Sequence, residues 1–226
     1  MATIGGYNIV TDGLVLSLDA ANPKSYPRSG TTWRDLSGNG NNGSLVNGPT
    51  FNSGNGGSIV FDSANDYVNF NLINLSNIFT INIVAKAATG SGTNVLLCPS
   101  SNNVDNWIAI ANSKTQMYFT EFADFNNVAF NGNTTIDTSN NVWYSFTATC
   151  NVNTASLYVN GNFDGSTTVG FNIGAWSGSN SSIGRRAGGG ASYFSGSIAL
   201  VQAYNRVLSA QEILQNYNAQ KGRFGL

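Results

Sequence analysis

Hydrophobic residues recur at every second position in several short stretches of the chain. Leucine occupies positions 14, 16 and 18. Isoleucine occupies positions 81 and 83, and alanine position 85. Because successive side chains of a β-strand point to opposite faces, this period predicts strands with one buried face. In residues 143–159 two such stretches are joined by a turn at 151–154, and Asn160-Gly161 then favours a type I′ turn into a third short strand. This stretch gives the clearest hairpin prediction.

Turn-forming sequences separate the alternating stretches along the whole chain. Clusters of Gly, Asn, Ser and Pro occur at residues 37–40, 47–49, 54–57, 131–132, 160–161 and 188–190. Many short strands separated by such turns are typical of a β-sandwich or barrel. The sequence has no linker, charge block, heptad run or fixed repeat that would divide it, so we expect one domain.

One helix is predicted, at the C-terminal end. Ser209 and Glu212 have the spacing of a capping box at its start. Ile213, Leu214 and Tyr217 then form its apolar stripe, and Gly222 is the predicted stop. The helix is expected to pack against the core.

Composition narrows the classes of function. Charged residues make up 9% of the chain, against roughly 25% in an average soluble domain. With 10 basic and 11 acidic residues, the chain has no field to attract a phosphate backbone or an anionic membrane surface. It also lacks a long apolar run and a basic, then apolar, N-terminal stretch. We therefore expect no nucleic-acid partner, no membrane insertion and no signal peptide.

The histidine and cysteine content bears on chemistry. Histidine is absent, which removes the Ser-His-Asp and Cys-His arrangements and most catalytic zinc sites. Cys98 and Cys150 both lie in apolar or strand-like contexts. Buried thiols are expected there, with one disulfide as the alternative.

Several segments, taken in order, resemble the laminin G-like jelly-roll domains of the concanavalin A-like lectin and glucanase superfamily. They are residues 13–19 (GLVLSLD), 33–43 (WRDLSGNGNNG), 59–68, 157–161 and 196–209. The resemblance covers nearly the whole chain and implies an all-β fold, an antiparallel two-sheet jelly-roll sandwich with one short C-terminal helix. We take residues 1–12 as an N-terminal arm and 13–226 as the jelly-roll domain.

The Asn-rich, Lys-poor character and the closing segment 216–224 look like versions found in tailed-bacteriophage structural proteins, particularly of phages of aquatic bacteria and cyanobacteria. This implies a non-enzymatic virion protein, assembled in the host cytoplasm and displayed on the virion surface as a capsid decoration or accessory protein. Its expected partners are capsid or tail proteins, and further copies of the chain. The alternative is a tail-fibre or soluble lectin module that recognises host-surface polysaccharide.

A diverged glycoside hydrolase is the third hypothesis, because the superfamily contains such enzymes. Glycoside hydrolysis generally needs two carboxyl groups flanking one bond. The chain has only two glutamates. Glu212 belongs to the capping box, and a strand would send Glu121 and Asp124 to opposite faces. The closely spaced Glu, Asp and Glu of the glucanases are absent, so no catalytic residue is assigned.

Calcium is the candidate cofactor. Asp35, Ser37 and Asn39 place oxygen atoms at alternate positions around glycines, and hard cations favour such ligands. Asp19, at the end of a predicted strand, is the fourth candidate ligand. The alternative, favoured because few of these ligands carry charge, is that the side chains bond their own backbone in Asx-type turns.

Aromatic side chains and an arginine are the candidates for binding a carbohydrate or a protein partner. Trp107 alternates with Ile108 and so points away from that isoleucine's face. Trp176 and Tyr193 lie in Gly/Ser-rich stretches with Arg185 between them. An exposed aromatic ring beside an arginine suits either a sugar or a partner protein. The alternative is that neighbouring strands cover Trp107 and that Trp176 packs over a sheet edge.

Overall fold

The alternating stretches form strands throughout the chain, as its period predicts. The computed structural model describes residues 8–70, 75–88, 93–98, 106–120, 127–169, 181–186 and 192–226. Its strands are β1 Leu14–Asp19, β2 Thr32–Trp33, β3 Gly43–Val46, β4 Thr50–Asn52, β5 Ser58–Asp62, β6 Tyr67–Phe70, β7 Ile78–Ala87, β8 Thr93–Cys98, β9 Trp107–Ala111, β10 Lys114–Thr120, β11 Asn127–Thr135, β12 Tyr144–Asn151, β13 Thr154–Val159, β14 Asn162–Thr168, β15 Ser181–Ile183 and β16 Ser195–Tyr204. The helix α1 spans Ala210–Phe224.

Two antiparallel sheets contain these strands. Sheet A has the order β14-β13-β12-β7-β16-β5-β4, and β1 also pairs with β16. Sheet B has the order β11-β10-β9-β8-β15-β6-β3-β2. The predicted all-β, two-sheet sandwich with one C-terminal helix is confirmed.

The inner faces of the sheets share one hydrophobic core. Phe79, Ile83 and Phe146 of sheet A belong to the same buried cluster as Trp33 and Ile108 of sheet B. Removal of these apolar side chains from water is the main stabilising contribution to such a sandwich. The period-two prediction for β7 is confirmed, since Ile81, Ile83 and Ala85 enter the core.

A bulge changes the predicted alternation in β1. The strand pairs with β16 in a register that shifts between Leu14 and Leu16. Leu16 and Leu18 enter the core, whereas Leu14 packs against a second cluster around Tyr204. The prediction that all three leucines share one face is therefore wrong for Leu14, because a bulge inserts one extra residue into the strand.

The predicted hairpin forms as expected. β12 pairs with β13 from Phe146 opposite Val159 to Asn151 opposite Thr154. Asn160 and Gly161 then have φ of 51° and 76°, the left-handed values that a type I′ turn requires. The chain returns as β14, the predicted third strand.

The helix starts where predicted but ends later. Ser209 and Glu212 form both hydrogen bonds of the capping box. The stop is Gly225, which has a φ of 70° and donates its N–H to the Lys221 carbonyl, so Gly222 lies within the helix. Leu214 is exposed and not part of the buried stripe. The buried residues are Ile213, Asn216, Gln220 and Phe224.

Both cysteines are buried and no disulfide joins them. Cys150 lies in the core between the sheets, and burial raises the pKa of its thiol to about 12. Cys98 lies with Val95 and Trp107 in a separate cluster. Within the described ranges, no helix is both long and apolar enough to cross a membrane.

Candidate functional site

Arg185 and Tyr193, two of the predicted binding residues, are brought together just beyond β15. Gly184 directly follows that strand with a φ of 80°, and a Cβ on it would lie 2.7 Å from a ring carbon of Phe61. Glycine therefore lets the chain turn closely over the core at this point. Arg185 and Tyr193 then form an isolated antiparallel bridge. Directly paired residues project their side chains to the same side, so the two side chains share one surface.

Tyr67 of β6 completes this group. Its neighbour Val68 enters the core, which directs Tyr67 to the outer face of sheet B. The guanidinium carbon of Arg185 lies 3.7 Å from the centroid of the Tyr67 ring, a close cation–π contact. Ser182 Oγ donates a 2.8 Å hydrogen bond to the Arg185 carbonyl and holds its backbone in place. We refer to Tyr67, Arg185 and Tyr193 as the Arg185 cluster.

The Arg185 cluster presents a fixed planar cation at a partly exposed surface. All three residues are partly exposed. Arg185 forms no ion pair with any described carboxylate, and its Nε is buried without a hydrogen-bond partner among those residues. A guanidinium carries five N–H donors in rigid geometry. The cluster can therefore donate several hydrogen bonds to hydroxyl or carboxylate oxygens while its aromatic rings pack against C–H groups.

Trp107 lies on the outer face of sheet B, as its alternation with Ile108 predicts. Its ring stacks on that of Tyr118, the cross-strand partner on β10, with 4.7 Å between centroids and 2° between planes. Only 7% of Trp107 is exposed. Trp107 is therefore covered, as the alternative interpretation expected. Its Nε1 has no hydrogen-bond partner among the described residues. A binding role for Trp107 stays a prediction, and Tyr118 is the more exposed ring of the pair.

Two amide side chains beside Tyr118 were missed by sequence reasoning. Gln116 Nε2 donates a 2.7 Å hydrogen bond to Asn131 Oδ1 on the neighbouring strand β11. Gln116 lies two residues from Tyr118, and its cross-strand partner is Asn131, so both amides share the outer face with that ring. The alternation within β10 could have placed Gln116 on the same face as Tyr118. The partner strand was not readable from the sequence.

The remaining binding and catalytic candidates have different outcomes. Trp176, Glu121 and Asp124 lie outside the described residues. Glu212 accepts hydrogen bonds from Arg206 and from the Ser209 backbone. The Arg206 bond, followed by the Ser209 backbone bond, lowers the pKa of Glu212 to about 2. Glu212 therefore fixes the start of α1.

The predicted calcium ligands form a hydrogen-bonded turn. Asp35 Oδ1 accepts the backbone N–H groups of Ser17 and Ser37, both at 2.9 Å. Asp35 Oδ2 accepts the Ser37 hydroxyl at 2.7 Å and the Asn41 N–H at 3.0 Å. Asn39 Nδ2 donates to Ser37 Oγ at 3.0 Å. These are the contacts of the Asx-type alternative, and a cation would have to replace donors on both carboxylate oxygens. Calcium binding here stays a prediction.

Asp19, the fourth predicted ligand, makes its contacts outside that turn. Its Oδ1 accepts 2.8 Å and 2.9 Å hydrogen bonds from Arg223 and the Ala21 backbone. The described residues contain no group of three or more His, Cys, Asp or Glu side chains that could hold a metal ion. Asp19 thus ties β1 to the C-terminal end of α1.

Comparison with known proteins identifies the family. A family model described as the concanavalin A-like lectin/glucanases superfamily, of the third laminin G type, matches residues 62–214. This chain belongs to that superfamily. The laminin G-like fold expected from the sequence is thereby confirmed. No curated protein sequence matches the chain.

Solved structures share the fold of this laminin G-like chain at low sequence identity. The binding domain of Paraclostridial Mosquitocidal Protein 1 has a TM-score of 0.74 at 20% identity, covering 92% of this chain and 52% of that one. Domain 4 of AbnA, a GH43 extracellular arabinanase from Geobacillus stearothermophilus solved with arabinotriose, has a TM-score of 0.69 at 15% identity, covering 90% and 98%. The botulinum neurotoxin serotype D binding domain has a TM-score of 0.72 at 16% identity, covering 93% and 53%. The chain thus spans about half the length of the two toxin domains and nearly all of the arabinanase domain.

Proposed function

We propose that this chain is a non-enzymatic carbohydrate-binding domain whose Arg185 cluster contacts the glycan. The observation that carries the proposal is the Arg185 guanidinium held 3.7 Å from the Tyr67 ring, with Tyr193 beside it and no described carboxylate paired to it. Aromatic rings together with a rigid set of donors match the C–H faces and hydroxyl groups of sugars. The arabinanase domain, solved with arabinotriose, supports the proposal because it has the same fold over nearly its full length.

The outer face of sheet B carries a second aromatic ring, Tyr118, apart from the Arg185 cluster. Tyr118 on β10 and Tyr67 on β6 are separated by three intervening strands. At about 4.8 Å per strand spacing, they lie roughly 19 Å apart across the sheet. The outward-facing side chains between them, among them Val95, Cys98 and Ser182, are buried, so the Tyr118 ring and the Gln116–Asn131 amides form a second patch separate from the Arg185 cluster.

A glycan array tests this proposal, with the full chain as the probe. The array should carry neutral and uronate-containing oligosaccharides, and we expect saturable binding to a subset of them. A charge-assisted hydrogen bond contributes about 1.5–3 kcal/mol. Arg185→Gln should therefore weaken binding to the best glycan by about tenfold or more, measured by calorimetry.

Arg28→Gln is the matched control, because it removes the same charge from an exposed position outside the Arg185 cluster. It should bind as the wild type does. Binding to no glycan, or equal binding by the Arg185 variant, would overturn the proposal. Release of new reducing ends from the bound glycan would overturn its non-enzymatic part.

We also propose that the domain is displayed on a phage virion surface, as a capsid decoration or tail-fibre module with capsid or tail proteins as partners. The support is the resemblance of the Asn-rich sequence and its low content of charge, 9% of residues. Mass spectrometry of purified virions should detect the chain at regular copy number. Its absence from virions would count against this location and leave the glycan proposal standing.

Calcium binding at Asp35 is the last proposal, and it would order the turn between β2 and β3. Calorimetric titration with calcium chloride should give saturable heat that Asp35→Asn abolishes. A wild-type titration with no heat of binding would remove calcium from the account.

A further inference from the structure

A cavity of about 260 Å³ lies on the outer face of sheet A, between β1, β16 and α1. Its polar lining includes Ser17, Asp19, Gln202, Gln220 and Arg223. Its apolar lining includes Leu36, Leu200 and Ala219. The cavity therefore combines hydrogen-bonding groups with hydrocarbon surface, the usual composition of a small-molecule site.

A row of polar side chains leads across sheet A to this cavity. Ser17 is paired with Gln202, Gln202 with Asn82, and Asn82 with Thr147. The hydroxyls of Ser145 and Thr147 each donate to Asn82 Oδ1 at 3.1 Å. Asn82 Nδ2 in turn donates to Gln202 Oε1 at 3.1 Å. Buried polar groups are costly without partners, so this chain of bonds is what allows polar residues beneath the helix.

The row ends at the oxygen of the Gln202 amide. Gln220 Nε2 also donates to Gln202 Oε1, at 3.1 Å. Both N–H donors lie on the Oε1 side of the Gln202 amide, and its NH₂ group points away from them. Gln202 is 1% exposed, and its Nε2 makes no hydrogen bond with any described residue. An unpaired donor group therefore belongs to a side chain that lines the cavity.

Ser17 adds a second unpaired group. It is 5% exposed, and its backbone N–H and carbonyl are bonded to Asp35 and Leu36. Its hydroxyl has no partner among the described residues. A hydroxyl that can donate and accept thus stands one strand away from the Gln202 NH₂ group.

Charge in the cavity is internally balanced. Arg223 forms a 2.8 Å ion pair with Asp19. Its other bonds go to the carbonyls of Asn55 and Gly57, at 2.9 and 3.1 Å. Asp19 Oδ2 accepts no hydrogen bond from the described residues. The cavity offers one further acceptor but no net charge, which favours a neutral ligand.

We propose that this cavity binds a neutral, polyhydroxylated ring of monosaccharide size. Its hydroxyl groups would bond the Gln202 NH₂ group, the Ser17 hydroxyl and Asp19 Oδ2, and its C–H face would pack on Leu200 and Ala219. The volume of about 260 Å³ is below the roughly 300–1,000 Å³ typical of sites for drug-sized ligands. This site is separate from the Arg185 cluster and goes beyond the proposed function.

NMR titration of the ¹⁵N-labelled full chain tests the proposal, with glucose, galactose, mannose and arabinose as separate probes. At least one should produce saturable shifts of the Ser17, Gln202 and Ala219 amides. Ala219→Leu fills the cavity and should weaken that binding at least tenfold. Ala210→Leu is the matched control, since it makes the same change at an exposed position of the same helix, and it should bind as the wild type does.

A second variant covers the case in which Ala219→Leu does not fold. Ser17→Ala removes one hydroxyl and keeps the backbone bonds, and it should also weaken binding. Absence of saturable shifts with all four sugars would overturn the proposal and make the cavity a water site only. Wild-type affinity in Ser17→Ala and a folded Ala219→Leu would overturn it as well. Arg185→Gln should leave these shifts intact, so the two binding proposals can fail independently.

Discussion

At the scale of single residues, Arg206 shows how one side chain connects the start of the jelly roll to its helix. Its two terminal nitrogens lie 3.1 and 2.6 Å from the carboxylate oxygens of Glu212. Its Nε lies 2.8 Å from Asp12, a side chain that is 85% exposed. Glu212 also receives the Ser209 N–H. The Glu212 carboxylate therefore stabilises the helix N-terminus, while Asp12 contacts the same arginine in water.

Glu212→Gln should lower the free energy of unfolding by about 1 kcal/mol near pH 7, the usual contribution of a helix cap. The pKa of Glu212 falls from 4.5 to about 2 on folding, so the ionised carboxylate stabilises the protein at higher pH. That stabilisation is complete above the unfolded value and is lost as the pH falls toward about 2. Urea unfolding should therefore separate the variant from the wild type near neutrality and bring them together in acid.

Asp12→Asn is the control for that experiment, because it removes the other carboxylate from the same arginine. Exposed ion pairs contribute about 0–1 kcal/mol, so the change in stability should be the smaller of the two. An effect of Asp12→Asn as large as that of Glu212→Gln would contradict the assignment.

Sequence reasoning reached part of the binding surface at this scale. Arg185 and Tyr193 are close in the chain and flanked by glycine and serine, so their proximity could be predicted. Tyr67 could not, because it reaches Arg185 only through the pairing of β6 with β15. Trp107 was placed on the correct face, but its coverage depends on the stacked Tyr118 ring of another strand.

At the scale of elements, α1 shows why a start can be easier to predict than a stop. The capping box is a local signal, whereas both Gly222 and Gly225 satisfy the local signal for an end. The helix continues past Gly222 because its last residues make tertiary contacts. Phe224 packs on Trp143 with 4.9 Å between ring centroids, and Arg223 pairs with Asp19.

The buried face of the helix was also mispredicted, for a related reason. Periodicity placed Leu214 toward the core, but the surface beneath α1 is the outer face of sheet A, which is polar at Gln202 and apolar at Val84 and Leu200. Asn216 Nδ2 bonds the Tyr204 hydroxyl at 3.0 Å, and Gln220 bonds Gln202. Amides therefore occupy helix positions that a hydrophobic pattern assigns to apolar residues.

Gly222→Ala should stabilise the protein by about 0.5–1 kcal/mol, because glycine is unfavourable inside a helix. Nothing lies within 4 Å of a Cβ at this position. Thermal and urea unfolding should both show the gain, and a loss of stability would contradict the observed helix end.

Gly196→Ala makes the same change at a position where the backbone leaves no room for a methyl group. Gly196 has a φ of 141° in β16, and its added methyl would overlap the Lys86 carbonyl oxygen. This variant should lose more stability than Gly222→Ala gains. Equal small effects at both positions would mean that β16 does not pass as closely to β7 as the structure has it.

At the scale of the whole molecule, the sandwich has two outer faces with different surroundings. The outer face of sheet A mixes polar and apolar side chains and is partly covered by α1, which leaves the cavity at Gln202. The outer face of sheet B carries the Arg185 cluster and the Tyr118 ring. The fold could be predicted because alternation, turns and the ordered motifs all agree. The sites could not be predicted fully, because each combines strands that are remote in sequence.

The most direct test of carbohydrate binding is an NMR map of the full chain with the best glycan from the array. We expect saturable shifts that centre on Tyr67, Arg185 and Tyr193. Shifts confined to other surfaces, or no saturable shifts at all, would contradict it.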